Sequence, residues 1–174
     1  MKLTTFVCSC VAIMAVSLIA VPRIAHAGGV PEGDNAVNAD LGFSRGGADL
    51  GLDYEYGYAR TYSVGGYLRV IPDSTSSNQN GVTTFGVFVR PHFSRGNWDF
   101  YVSPGFGLVS EKYVQGNNTN TYTMLGPSFA VGLMYDLTPN MAVGAEQMDI
   151  YGWFNSTAGG DINQDLTAKF RYIF

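Results

Sequence analysis

Apolar and polar residues alternate with a period of two along most of this chain, in runs separated by turn-like breaks, and that pattern predicts strands rather than helices. In the first run Val37, Ala39, Leu41 and Phe43 share one face, with Asn38, Asp40 and Gly42 on the other. The second sets Leu50, Leu52, Tyr54, Tyr56 and Tyr58 against Gly51, Asp53, Glu55 and Gly57. In the third, Val64, Leu68 and Val70 oppose Ser63, Tyr67 and Arg69; in the fourth, Phe85, Val87 and Val89 oppose Phe88, Arg90 and His92. The fifth has Trp98, Phe100, Val102, Phe106 and Leu108 against Asp99, Tyr101 and Ser103, and the sixth has Leu125, Phe129, Val131, Leu133 and Tyr135 against Ser128, Ala130 and Asp136. The seventh, Met141 to Gly152, alternates poorly. The eighth places Leu166, Ala168, Phe170, Tyr172 and Phe174 opposite Asp165, Thr167, Lys169 and Arg171.

A soluble β-sandwich also alternates, so the choice between sandwich and membrane barrel rests on loops and aromatics. Long polar connections (Pro72 to Gly81, Ser110 to Thr121, Trp153 to Asp161) interleave with short ones (Ala59 to Thr61, Ser94 to Asn97, Leu137 to Asn140). That is the asymmetry of a bacterial barrel with long outer loops and short periplasmic turns. With the long loops outside, the periplasmic strand ends carry Tyr54, Tyr56, Tyr58, Trp98 and Tyr135, an aromatic girdle at one interface. Lipid demands a closed hydrogen-bond ladder and an apolar exterior, so the expectation is an eight-stranded antiparallel up-and-down transmembrane β-barrel, all-β. Pro91, Pro104 and Pro127 stand against it, because proline removes a ladder donor. If the Ser110 to Thr121 loop is symmetric, Pro104 and Pro127 face each other and the missing bonds gather in one bulged patch.

The start of the chain reads as an export signal: Lys2, an apolar run from Val11 to Val21, and a small-x-small site at Ala25-His26-Ala27. The expected organisation is a signal peptide over residues 1–27, a short lead over 28–35 and the barrel over 36–174. Cleavage removes Cys8 and Cys10, and with them any disulfide or cysteine-based metal site. Lys2 and Arg23 leave too, so eight bases stand against fourteen acids, a net charge of −6 that disfavours nucleic acid.

With these residues on the page, the chain resembles the small OmpA-like and OmpX-like outer-membrane barrels over essentially all of its mature length. The most specific segment is Phe170-Arg171-Tyr172-Ile173-Phe174, similar to that family's terminal strand. The resemblance implies that Phe170, Tyr172 and Phe174 are read by the barrel-assembly machinery. The segment from Val131 to Glu146, with its Tyr-Asp, Thr-Pro-Asn and inward Glu, is similar to the family's penultimate hairpin. Unlike the family members that carry one, this chain is expected to have no peptidoglycan-binding domain and so no cell-wall tether. The fold hosts adhesins, inert scaffolds, narrow pores and lipases, so resemblance settles architecture and address before role.

On the parity above, Asp40, Asp53, Glu55, Arg69, Arg90, Glu146, Lys169 and Arg171 project into the lumen. An eight-stranded interior is just wide enough to be filled by side chains, and buried charges persist when paired. A charge-paired plug is therefore expected, with a small passive pore as the alternative. A lipid A acyl hydrolase or transferase needs a nucleophile and a base; the mature chain offers one histidine, His92, near the periplasmic end. Glu111, Asp149 and Asp161 fit no calcium-loop spacing, and no metal or cofactor is expected. Expected contacts are outer-membrane lipid, lipopolysaccharide and an extracellular ligand met by the loops; a monomer is expected.

Overall fold

The computed structural model describes residues 29–44, 47–72, 81–115, 118–153 and 161–174. The expected signal peptide lies outside them. Eight strands are formed: β1 (Asn35–Ser44), β2 (Gly47–Ala59), β3 (Tyr62–Ile71), β4 (Val82–Arg95), β5 (Trp98–Gln115), β6 (Asn118–Thr138), β7 (Met141–Gly152) and β8 (Asp161–Ile173). They pair in chain order, and β1 pairs with β8 to close the barrel, from Ala36↔Ile173 to Ser44↔Asp165. Every neighbouring pair is antiparallel, so no strand has a free edge.

The alternation sorts the side chains as lipid requires. Leu41, Phe43, Val87 and Leu166 are each more than 60 % exposed on the outer wall, while Arg69, Arg90 and Arg171 are 1 % exposed or less. An apolar wall around a charged centre inverts a water-soluble protein. Tyr54, Tyr56, Tyr58, Trp98 and Tyr135 lie on the outer wall toward the short-turn end, where Trp98 and Tyr135 meet edge to face at 4.8 Å. Tyr172 and Phe174 stack at 6.3 Å on the same wall.

Three features differ from the sequence reading. The stretch from Ser110 to Thr121 is a ribbon rather than a loop, because the β5–β6 ladder runs on to Gln115↔Asn118. β4 stops pairing with β5 at Val82↔Glu111, and β7 pairs with β6 only from Ser128↔Ile150. The ribbon therefore stands beyond both neighbours. Its sequence, rich in Asn and Thr, carries no apolar alternation to mark it as strand.

The second concerns the prolines. Pro104 pairs with Phe129 and Pro127 with Phe106, so they are not opposite. The broken patch is instead on β4–β5, where pairing lapses between Phe88↔Gly105 and His92↔Tyr101. Because the His92 N–H donates to Thr61 O on the other side of β4, the Pro91 nitrogen faces β5, and the same parity turns Pro104 toward β4. Both missing donors fall in one seam, and the register is unchanged across it. No bulge is needed.

The third is β7, where the faces swap character partway. Met148 and Ile150 point inward and are buried, whereas Gln147 is exposed on the outer wall. That swap is why the strand alternates poorly in sequence. The inward Met148 and Ile150 join Tyr67, Ile71, Val82, Phe88, Val109, Met124 and Ala130 in an apolar cluster filling the lumen toward the long-connection end. The ion network thus lies toward the short-turn end, and the apolar cluster, with the buried Asp49, Glu111 and Asp165 near it, toward the other.

Candidate lumenal ion network

The ion network is assembled from seven strands whose inward positions fall at matching heights. From β2 come Asp53 and Glu55, from β3 Arg69, from β4 Arg90 and His92, from β7 Glu146, and from β8 Lys169 and Arg171, with Asp40 added by β1 and Asp99 by β5. All eight charged residues singled out in the sequence are buried and joined in one network. Arg69 Nη1 lies 2.6 Å from Asp53 Oδ1 and 3.1 Å from Asp40 Oδ2, while Nη2 reaches Glu146 Oε1 at 2.8 Å. Arg90 Nη1 lies 2.6 Å from Glu55 Oε2, and Nη2 lies 3.2 Å from both Asp53 and Glu146. Its Nε donates to Ser103 Oγ at 2.6 Å, and its guanidinium sits 4.2 Å from the Phe88 ring centre and 4.4 Å from that of Tyr101. Stacking of this kind holds arginine in one plane.

Asp40, Asp53 and Glu146 each turn an oxygen toward a common centre, with those oxygens within 4.8 Å of one another. Such a cage has the donor set of a divalent-cation site. Here it holds the chain's own cation: Lys169 Nζ contacts Asp53, Glu146 at 3.0 Å and Asp40 at 3.2 Å. Tyr101 completes the Glu146 shell, its hydroxyl donating at 2.8 Å. The Tyr101 ring fits because position 132 is glycine; a Cβ there would lie 2.1 Å from Tyr101 Cζ.

Two members escaped the sequence reading. Asp99 and His92 have inward parity, yet neither was assigned to the network. Asp99 Oδ2 meets Arg171 Nη1 at 2.8 Å and His92 Nδ1 at 2.9 Å. Glu55 Oε1 lies 2.9 Å from His92 Nε2. A carboxylate therefore stands against each ring nitrogen, placing the imidazole to donate twice, as an imidazolium does. Counted so, the network holds five acids (Asp40, Asp53, Glu55, Asp99, Glu146) and five bases (Arg69, Arg90, His92, Lys169, Arg171). Parity alone would have found Asp99, which falls in the same inward row as Tyr101 and Ser103. Asp49, Glu111 and Asp165 are further buried acids, lying toward the long-connection end.

Ser63, His92 and Asp99 lie in the order of a hydrolytic triad, with Ser63 Oγ 3.1 Å from His92 Nε2. The Ser63 hydroxyl, however, donates to Glu55 Oε1 at 2.6 Å, which also takes the Nε2 side of the ring. With a carboxylate at each nitrogen, the ring is placed to donate to Glu55 rather than to accept the serine proton. The free space in the network, lined by Asp53, Tyr67, Arg69, Arg90, Ser128 and Glu146, is of single-water size.

Comparison with known proteins agrees with this architecture. No curated protein is a significant match in sequence. Among solved structures, the N-terminal barrel domain of Pseudomonas aeruginosa OprF superposes with a TM-score of 0.64 at 15 % identity, over 81 % of this chain and 98 % of that one. Neisserial surface protein A gives 0.64 at 16 % identity, over 81 % and 95 %. Ail, the attachment invasion locus protein of Yersinia pestis, gives 0.54 at 15 % identity, over 82 % and 99 %. At such identities the likeness is one of fold. A family model, the outer membrane protein beta-barrel domain, matches residues 15–174, nearly the whole chain. Closed ladder, apolar wall, charged lumen and that match together make this chain a member of the outer membrane protein β-barrel family, and so a protein of the bacterial outer membrane.

Proposed function

We propose that this protein is a non-enzymatic surface scaffold of the outer membrane, with its lumen plugged by paired charges and its β5–β6 ribbon presented to ligands outside the cell. The observation that carries the reading is the closed ion network: five acids and five bases, each held by an ion pair to another member, with room left for about one water. A pore needs a continuous wet path, and the ion network toward one end together with the apolar cluster toward the other supports a lumen without one. The doubly engaged His92 likewise argues against lipid A hydrolysis or acyl transfer.

In this reading, residues 1–27 are removed on export, both mature ends lie in the periplasm, and the short turns face the same way. The outer wall meets lipid and lipopolysaccharide, the assembly machinery reads Phe170, Tyr172 and Phe174, and the barrel works as a monomer. Between Lys112 and Met124 the sequence is rich in Asn, Thr and Tyr and carries one charge, Lys112 itself. Such a surface suits a partner met through hydrogen bonds and aromatic contact. Ail has been solved with the heparin analogue sucrose octasulfate; this ribbon, with a single cation, is poorly furnished for a sulfated polyanion.

Two measurements test the reading. In planar bilayers the refolded mature protein should show no steady conductance, and a large sustained current would replace the scaffold with a pore. Cells displaying the protein should adhere to host-cell surfaces, and exchanging residues 113–120 for a two-residue turn that joins the paired Lys112 and Thr121 should abolish adherence while the barrel still folds. Adherence untouched by that exchange would remove the ribbon from the function.

A further inference from the structure

The residues ahead of β1 fold back across the short-turn mouth of the barrel. Two glycines make the path possible: Gly29 has φ 99° and Gly33 has φ 88°, values that side-chain-bearing residues avoid. Gly33 N–H donates to Gly57 O at 2.8 Å, Gly57 N–H donates to Asp34 O at 2.9 Å, and Asp34 N–H donates to Pro31 O at 3.1 Å. The segment is thereby sewn to β2. Val30, 3 % exposed, packs against Ala36 of β1 and Ile173 of β8, the two strands whose pairing closes the barrel.

The fit is close on both sides. A Cβ on Gly57 would lie 2.0 Å from Pro31 O, and a Cβ on Gly29 would lie 2.9 Å from His92 Cγ. The buried Gly29 backbone therefore lies against the imidazole that joins Asp99 to Glu55. This is the end of the ion network nearest water. Charges paired in a dry interior interact far more strongly than the same charges wetted, so whatever covers His92 sets the strength of the network's last links.

We propose that residues 29–34 are a latch, which seals the short-turn mouth over His92, Asp99 and Glu55 and clasps the β1–β8 seam. The charges at this mouth are then dry because the N-terminal segment covers them. The latch acts whichever end of the barrel faces the periplasm, so its test is separate from that of the proposed orientation.

The experiment uses the mature protein, refolded in lipid, in which His92 is the one histidine left once residues 1–27 are removed. Two variants disturb the latch from opposite sides: Gly29→Ala, outside every strand, and Gly57→Val on β2. Should Gly57→Val fail to fold, Gly29→Ala still decides. Latch seating is read from the maleimide reactivity of Val30→Cys, and shielding from the exchange of the His92 ring N–H protons with water, followed by nitrogen-15 NMR. Slow reactivity and slow exchange are expected with both glycines in place, and at least a tenfold acceleration of both in either variant. Fast exchange with both glycines in place, or exchange unchanged in Gly29→Ala, overturns the latch whether or not Val30→Cys becomes reactive.

Discussion

Glu146 is the acid at which the ion network is most interlocked, and Glu146→Gln is the sharpest test of a sealed lumen. The substitution preserves shape but removes one charge from a site shared by Arg69 at 2.8 Å, Lys169 at 3.0 Å and Arg90 at 3.2 Å. Five bases then face four acids in a wall that lipid surrounds. Breaking a buried pair by removing one partner costs about 3–5 kcal/mol, because the remaining charge is desolvated without compensation. With a urea slope of about 2 kcal/mol/M, that cost moves the unfolding midpoint down by about 1.5–2.5 M. The two tryptophans, Trp98 and Trp153, report unfolding in lipid vesicles by fluorescence. Adding Lys169→Met restores the balance at four and four, so the double variant should recover about 1–3 kcal/mol relative to the sum of the single losses. A midpoint shift below about 0.5 M for Glu146→Gln, or strict additivity in the double variant, would show that water already screens these charges. The lumen would then be wet, and the scaffold reading would lose its main support.

Other outcomes follow from the same structure. Asn118→Cys should react with an impermeant maleimide on intact cells, while Asn97→Cys and Asn140→Cys should not; the reverse pattern inverts the barrel. Phe174→Ser should leave export intact but strand the protein in the periplasm, and normal amounts of heat-modifiable, membrane-inserted barrel would show that the terminal ring is not an assembly signal. Replacing both Pro91 and Pro104 with Val supplies two N–H donors to the interrupted β4–β5 seam and should stabilise the barrel by about 1–3 kcal/mol, at about 0.5–1.5 kcal/mol per hydrogen bond. No gain in the urea midpoint would mean that the seam is held apart by something other than its missing donors.

Much of this architecture is legible in one dimension, for a physical reason. A strand between lipid and lumen must send alternate side chains to opposite solvents, so residues such as Leu166, Lys169, Phe170 and Arg171 declare their faces by order alone. Seven of the eight runs and their parity follow from that rule, and with them the inward position of every network member except Glu146 on β7. What the rule does not reach is any place where the two faces meet similar surroundings. The ladder from Ser110 to Thr121 runs through a polar, Asn- and Thr-rich sequence, and β7 turns Met148 inward and Gln147 outward, so neither shows the expected alternation. Partnership across the barrel is also a tertiary matter. That Glu146 meets Arg69 from 77 positions away, that Asp99 pairs with His92 and Arg171, and that Lys169 occupies a three-carboxylate cage depend on barrel closure and strand register, which set heights in space. The N-terminal segment is the extreme case. Nothing in the order Gly29-Val30-Pro31 distinguishes a loose lead from a latch; only the closed mouth, with Gly57 and His92 at its rim, gives those residues something to fit.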